Sequence, residues 1–274
     1  MKRIAERVAV VTGAGSGIGR SVSLELARNG AHLALVDIDE RRLVDVMAAV
    51  VARGSRASTH VVDVSCRQQM AALPDQVLAE HGSVEILVNN AGVSVNRPFE
   101  DQDVDDIEWI TGINYWGVMY GCRFFLPHLQ RASEAHIVNM SSSAGLTGMK
   151  DQGSYAATKF AVRGLSECLY VELAGSTVGI TCVHPGAVAT DILESARMDP
   201  AHKQRMVGMF KYAMPPDKAA RRIVRAIEQD RFKLVFCAES RALDHMKRLA
   251  PVGTLKLMRF ANRRTTNRSS RRPG

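Results

Sequence analysis

From Val8 to Ala27 the chain runs out of a β-branched apolar stretch (Val8 to Val11), through Thr12-Gly13-Ala14-Gly15-Ser16-Gly17-Ile18-Gly19, and into a helical pattern marked by Leu24, Leu26 and Ala27. No other segment restricts the fold as much. It predicts a strand, a tight loop and a helix ending near Gly30. Glycines 13, 17 and 19 permit positive φ and leave the backbone bare enough for a pyrophosphate to approach. The helix start beyond them offers unpaired N–H groups and a positive dipole end. The loop therefore suits a dinucleotide, with a plain glycine-rich turn as the alternative. Its spacing is not Gly-x-Gly-x-x-Gly, because Ile18 and Arg20 fall where the third glycine would stand.

A second apolar run, His32 to Val36, ends at Asp37, eighteen residues beyond Gly19. In a Rossmann unit an acid at this place faces the adenosine ribose. A carboxylate there accepts both ribose hydroxyls and repels a 2′-phosphate, so Asp37 favours NAD over NADP. Arg41 and Arg42 follow closely, and an arginine folded back would tolerate the phosphate. Alternatively, Asp37 caps the next helix. Strand-like runs at 57–63, 84–89, 135–140, 178–184 and 232–237 alternate with helical stretches at 39–53, 66–81, 103–130, 154–174 and 215–229. Such alternation predicts an α/β fold: a single-domain Rossmann architecture whose doubly wound parallel sheet carries helices on both faces. With 274 residues and 46% hydrophobic content, the chain can bury one full core.

Reactive chemistry concentrates in Ser154-Tyr155-Ala156-Ala157-Thr158-Lys159. Four residues make about one helical turn, which stacks the phenol of Tyr155 and the ammonium of Lys159 on one face. Free tyrosine titrates near ~10. A cation one turn away favours the phenolate and makes the phenol a usable acid/base near neutrality. An isolated Tyr-x-x-x-Lys is most often a solvated helix face, so its meaning depends on the rest of the chain.

The other motifs agree in order and spacing, and together they resemble the short-chain dehydrogenase/reductase family over residues 5 to 240. Thr12 through Gly19 is similar to its Thr-Gly-x-x-x-Gly-x-Gly loop, and Asn89-Asn90-Ala91-Gly92 to its Asn-Asn-Ala-Gly element. Ser142 stands thirteen residues before Tyr155, the family spacing that singles it out from Ser141 and Ser143. Pro185-Gly186-Ala187-Val188-Ala189-Thr190 is similar to the Pro-Gly-x-Val-x-Thr segment. The resemblance implies hydride transfer between a nicotinamide cofactor and a secondary alcohol or ketone. It gives catalytic roles to Asn114, Ser142, Tyr155 and Lys159, with Asn114 holding a water through its backbone carbonyl. Cofactor contacts are implied for Gly13, Ser16, Gly17, Ile18 and Gly19, for Asp37, Asp63 and Val64, and for Asn90, Ala91 and Gly92. Tyr155, Lys159, Pro185, Gly186, Val188 and Thr190 complete that set. A homodimer or homotetramer formed through 103–130 and 154–174 is also implied.

The five cysteines are scattered, without Cys-x-x-Cys pairs or clustered histidines, which points to a reducing, cytoplasmic setting and to no metal site. His184, before Pro185, marks the end of a strand. The start, Met-Lys-Arg-Ile-Ala-Glu-Arg, runs straight into the first strand and predicts no leader. Charge is uneven: 241–274 holds ten Lys/Arg and one Asp, leaving 26 Lys/Arg and 27 acids before it. Residues 1–240 are thus expected to form the catalytic domain. The basic extension 241–274 is expected to form a packed helix interrupted at Pro251, then a disordered end from Arg263. The basic end could instead touch an anionic membrane surface peripherally or bind nucleic acid, the second rival; no nucleic-acid partner is expected, since no recognition motif precedes it. Substrate choice is expected in a lid at 191–214, rich in Ile192, Leu193, Met198, Met206, Met209, Phe210, Tyr212 and Met214, with Val93, Leu146 and Met149 beside it. Adaptable methionines suit a lipophilic substrate such as a steroid, a retinoid-like or a fatty compound; ordinary helix packing is the alternative. A catalytically idle NAD-binding sensor is the rival for the whole chain.

Overall fold

Strand β1 (Val8–Thr12) lies in the middle of a seven-stranded sheet, with all five residues buried. The computed structural model describes residues 1, 3–199, 203–204 and 213–269. After β1 come α1 (Gly17–Arg28), β2 (His32–Asp37), α2 (Glu40–Val51), β3 (Ala57–Val61), α3 (Arg67–His81) and β4 (Ile86–Asn89). A short β5 (Val95–Asn96) precedes α4 (Val104–Thr111), α5 (Gly117–Leu129), β6 (Ala135–Met140), α6 (Gly153–Glu172) and β7 (Val178–His184). The remainder is β8 (Arg197–Met198), α7 (Pro216–Glu228), β9 (Lys233–Val235), α8 (Ala238–Leu249) and α9 (Pro251–Ser269).

The main sheet has the order β3-β2-β1-β4-β6-β7-β9, and each pairing is parallel. Helices cover both faces, which is why the inner strands read as continuous apolar runs rather than alternating ones. Side chains of β1 still alternate in direction: Ala9 and Val11 join the core under α1, α2 and α7 with Val22, Leu26, Leu43 and Ile223. Val8 and Val10 join the opposite core with Met70, Phe125 and Val162 of α3, α5 and α6. Phe125 is fully buried, and truncating such a side chain to alanine costs about 3–5 kcal/mol. The chain moves one way from β1 to β2 and β3, then the other way through β4, β6 and β7. The loops after β1 and β4 therefore diverge, opening a crevice at the carboxyl ends of the strands.

The sequence expectation of one long helix over 103–130 is refined: α4 and α5 are separated by a π-helical turn, Gly112–Trp116. Such turns cluster at functional sites, and this one carries Asn114. The third strand stops at Val61, short of the expected 63, because Asp63 forms a turn. Pro251 begins α9 rather than only interrupting a helix, a place where its missing N–H is no loss. Helix continues past Arg263 to Ser269, where a disordered end was expected, and residues 270–274 lie outside the described residues. Strands β5 and β8 form a small parallel sheet that the sequence did not reveal.

Candidate active site

A cleft of about 740 Å³ lies over the carboxyl ends of β1, β4, β6 and β7. Its floor begins with the glycine loop. Gly13 and Gly17 have φ of +64° and +51°, and a Cβ on Gly17 would press against Thr190 at 3.1 Å. A Cβ on Gly19 would run into the carbonyl oxygen of Gly13. Ser16 occupies the N-cap of α1 in an extended conformation, yet its hydroxyl makes no capping bond and the first turn carries no acid. The helix start therefore keeps the N–H groups and positive end that a pyrophosphate requires.

Thr12 and Asn90 sew the two diverging loops together. The Thr12 hydroxyl accepts from the backbone N–H of Asn90 and of Ala91, both at 3.0 Å. The Asn90 amide donates to the carbonyls of Thr12 at 2.9 Å and Gly13 at 3.2 Å. Asp37 ends β2 beneath this loop, its carboxylate accepting from Gly15 N at 2.9 Å and Asp39 N at 3.1 Å. It does not cap α2; Asp39 does, accepting from the N–H groups of Arg41 and Arg42. Arg42 does fold towards the cleft and lines it, its guanidinium 3.8 Å from Asp191 on the far side. Asp63 is turned onto Ser65, whose N–H and hydroxyl it accepts at 2.9 and 2.7 Å, while Val64 packs against Gly117. Neither is among the residues lining the cleft, nor are Gly19, Asp37, Ala91 and Asn114, which shape it from behind.

Ser142, Tyr155 and Lys159 meet on the opposite wall. Tyr155 and Lys159 stand one turn apart on α6, with the Lys159 Nζ 5.7 Å from the phenol ring centroid. The Lys159 Nζ donates to the Met140 carbonyl at 3.1 Å. Burial pushes the Lys159 ammonium down to about 8. Burial also pushes the Tyr155 phenol above its ordinary value, and the opposing, lowering influence is the neighbouring Ser142 side chain. Desolvation thus acts on the phenol beside the cation one turn along the helix that the sequence singled out. Asn114 is fully buried in the π turn; its side chain accepts from Val93 N at 2.8 Å and donates to Val93 O at 2.9 Å. Gly92, held by this clasp, has room for no Cβ without crowding Asn114 Oδ1 at 3.2 Å and Lys159 Nζ at 3.4 Å.

These elements can hold an extended dinucleotide along one wall and a phenol proton donor on the other. The model for short chain dehydrogenases matches residues 7–201. The chain belongs to this family. The SadH oxidoreductase of Mycobacterium tuberculosis is 37% identical over 249 residues, 89% of this chain and 90% of that one. Mouse epidermal retinol dehydrogenase 2 is 32% identical over 257 residues, covering 92% and 81%. Among solved structures, a short-chain dehydrogenase/reductase from Burkholderia phymatum in complex with NAD superposes with a TM-score of 0.86 at 32% identity, covering 90% of this chain and 95% of that one.

Two features of this dehydrogenase's site were not legible in the sequence. Thr12, which ties β1 to β4, looked like part of the loop motif only. His184, expected merely to end a strand, is buried directly behind Ser142, its Nδ1 3.1 Å from the Ser142 carbonyl. The expected lid, 191–214, is only partly described. Ile192 lines the cleft, and Arg197 donates to Asp106 at 2.7 Å while lying 4.0 Å over the Trp109 ring. Met214 packs on the core instead of facing substrate, and Leu146 is buried outside the cleft lining, contrary to expectation. Met206, Met209, Phe210 and Tyr212 lie outside the described residues. Among the described residues, no helix is long and apolar enough to cross a membrane.

Proposed function

We propose that this dehydrogenase moves a hydride reversibly between NAD and a lipophilic secondary alcohol or ketone. The observation that carries the reading is the Tyr155 phenol, lining the cleft with Ser142 and one turn from Lys159, set across the cleft from a glycine loop with an open helix start. Bound NAD supplies the hydride acceptor at its nicotinamide ring. The residues do the rest. Gly13, Ser16, Gly17 and Ile18 take the pyrophosphate; Asp37 accepts the adenosine ribose hydroxyls, with Arg42 available to a 2′-phosphate; Asp63 and Val64 approach the adenine. Asn90, Ala91 and Gly92 support the nicotinamide ribose, to which Lys159 donates. Pro185, Gly186, Val188 and Thr190 orient the carboxamide. Ser142 holds the substrate oxygen and steadies the charge that develops there. Tyr155 takes the hydroxyl proton during oxidation and returns it during reduction. Asn114, in its widened turn, holds through its backbone carbonyl a water that reconnects Lys159 to solvent.

The lining of Val93, Met140, Met149 and Ile192 supports a lipophilic substrate. Incubating the enzyme with cyclohexanol, 2-octanol, a hydroxysteroid and retinol, each with NAD and with NADP, tests the reading at 340 nm. Turnover of the bulkier alcohols with NAD supports it; binding of NAD without turnover of any alcohol favours the idle sensor. We also propose self-association through α5, the π turn before it and α6, where Trp116 of the turn and Phe160 of α6 are exposed; light scattering reads the mass. For the extension, Leu249, Leu257 and Phe260 are exposed beside Lys256, Arg259 and Arg263, which favours peripheral contact with an anionic membrane. Sedimentation with phosphatidylglycerol vesicles, compared with phosphatidylcholine alone, tests that contact; equal pelleting overturns it.

A further inference from the structure

We propose that His184 is a positioning residue of the active site: it holds the backbone of Ser142 from behind and thereby sets the place of the hydroxyl beside the Tyr155 phenol. The inference rests on the proposed roles of Ser142 and Tyr155.

Where β6 leaves the sheet, Ser141 N still donates to Val183 O at 2.9 Å, and Ser143 N to Pro185 O at 2.8 Å. Pro185 has no N–H, so the β7 backbone loses a donor where the catalytic serine needs its main chain fixed. The His184 side chain provides one. Its Nδ1 lies 3.1 Å from the Ser142 carbonyl, which can only accept, so Nδ1 carries the proton. The other ring nitrogen, Nε2, is then an acceptor, and 3.4 Å away stands the Cys182 thiol, which donates. The order Cys182 S–H to Nε2, then Nδ1–H to Ser142 O, satisfies every atom and leaves one tautomer. The ring is 1% exposed, so it has no room to adopt another pose.

The charged groups around the ring agree with a fixed neutral imidazole. Burial chiefly, aided by the cations Lys233 of β9 and Arg163 of α6, pushes His184 down to about 4, against the raising influence of the Ser142 carbonyl and of Asp244 on α8. Cys182 is held as a thiol, burial pushing it up to about 11. Neither group therefore changes charge near neutrality. On the other side of Ser142, the hydroxyl accepts from Ala144 N at 3.1 Å and lines the cleft with Tyr155. A single proposed route thus runs from the middle of β7 through Ser142 to the phenol.

That single route makes the proposal testable apart from folding. Tyrosine labelled with ¹³C at Cζ would be incorporated into the full-length enzyme, with the Tyr155 signal identified by its loss in Tyr155→Phe, and titrated with NAD present. His184→Leu, Ser142→Ala and the double variant should all move the Tyr155 titration upward. The double variant should move no further than Ser142→Ala alone. His184→Asn, whose amide can still donate to the Ser142 carbonyl, should restore much of the original titration. In turnover of the best alcohol of the panel, His184→Leu should lower kcat by about ten- to a hundredfold while KM changes little. Should His184→Leu not fold, Cys182→Ala, which frees the ring from its other side, is read in the same way. An unchanged Tyr155 titration in the His184 variants, or shifts that add in the double variant, overturns the proposal. No shift in Ser142→Ala itself overturns the Ser142–Tyr155 reading beneath it.

Discussion

The nucleotide side of the cleft and its substrate side are built by different means. From Thr12 to Gly92 the site is held through its backbone: positive-φ glycines, a helix start, N–H groups tied to the Thr12 hydroxyl, and carbonyls tied to the Asn90 amide across the switch point. From Met140 to Met198 it is held by side chains reaching between distant elements. His184 lies behind Ser142, Arg197 on Asp106, and Gln152 donates to Asn96 at 2.9 Å. The first side has almost no freedom to change because a Cβ has nowhere to go; the second can be rebuilt one residue at a time. On the proposed function, the first side holds the pyrophosphate and adenosine end of the cofactor, and the second meets the nicotinamide end and the substrate, with Tyr155 at their junction.

The largest separation of the two sides is expected from Tyr155→Phe, which should lower kcat by about 10³- to 10⁴-fold while NADH binds as before. Fluorescence titration beside steady-state turnover checks it, and a matching loss of NADH affinity would break the division. Gly19→Ala should do the converse. Its Cβ meets Gly13 O and the Asn90 amide, so NAD affinity should fall about a hundredfold, about 3 kcal/mol, while any residual turnover at saturation stays near normal. Asp37→Asn removes the charge and keeps an acceptor for Gly15 N, so kcat/KM should shift towards NADP by about tenfold. Arg42→Ala on that background should reverse the gain.

Histidine placement gives a prediction outside the cleft. Burial holds His136 down to about 3 and His184 down to about 4. Unfolded, both bind protons near ~6.5. The unfolded state therefore binds more protons between those values, so stability is full above about pH 6.5 and is lost as pH falls towards 4 and 3. Urea melts at pH 7, 5.5 and 4.5 should show this loss. His136→Gln should flatten it by removing one of the protons taken up on unfolding. The smallest effect is expected from deleting 262–274, which should leave turnover of a water-soluble alcohol unchanged, since the described cleft lining ends at Ser195.

The same division decides what could be read from the sequence. Local rules set the strand–loop–helix start, the alternation and the Tyr155–Lys159 turn, because spacing of 3.6 and 2 residues and the conformational freedom of glycine act within a few positions. Family spacing chose Ser142 among three serines, all of which line the cleft with Tyr155. What escaped was nonlocal. The π turn at Asn114 needs the clasp on Val93, 21 residues away. His184 acquires its partner from β6, 42 residues away. The two-residue pairing of β5 with β8 has too few residues to show a period. The upward push of burial on Tyr155 was missed because burial is a property of the whole fold.

The central claim is that this cleft passes a hydride directly between cofactor and carbon. NADH carrying deuterium in turn on each face of nicotinamide C4, mixed with the ketone of the best alcohol in the panel, tests it by mass spectrometry of the product. The account predicts one deuteron on the new carbinol carbon from one face only, absent with Tyr155→Phe. Product alcohol without label from either face would contradict it.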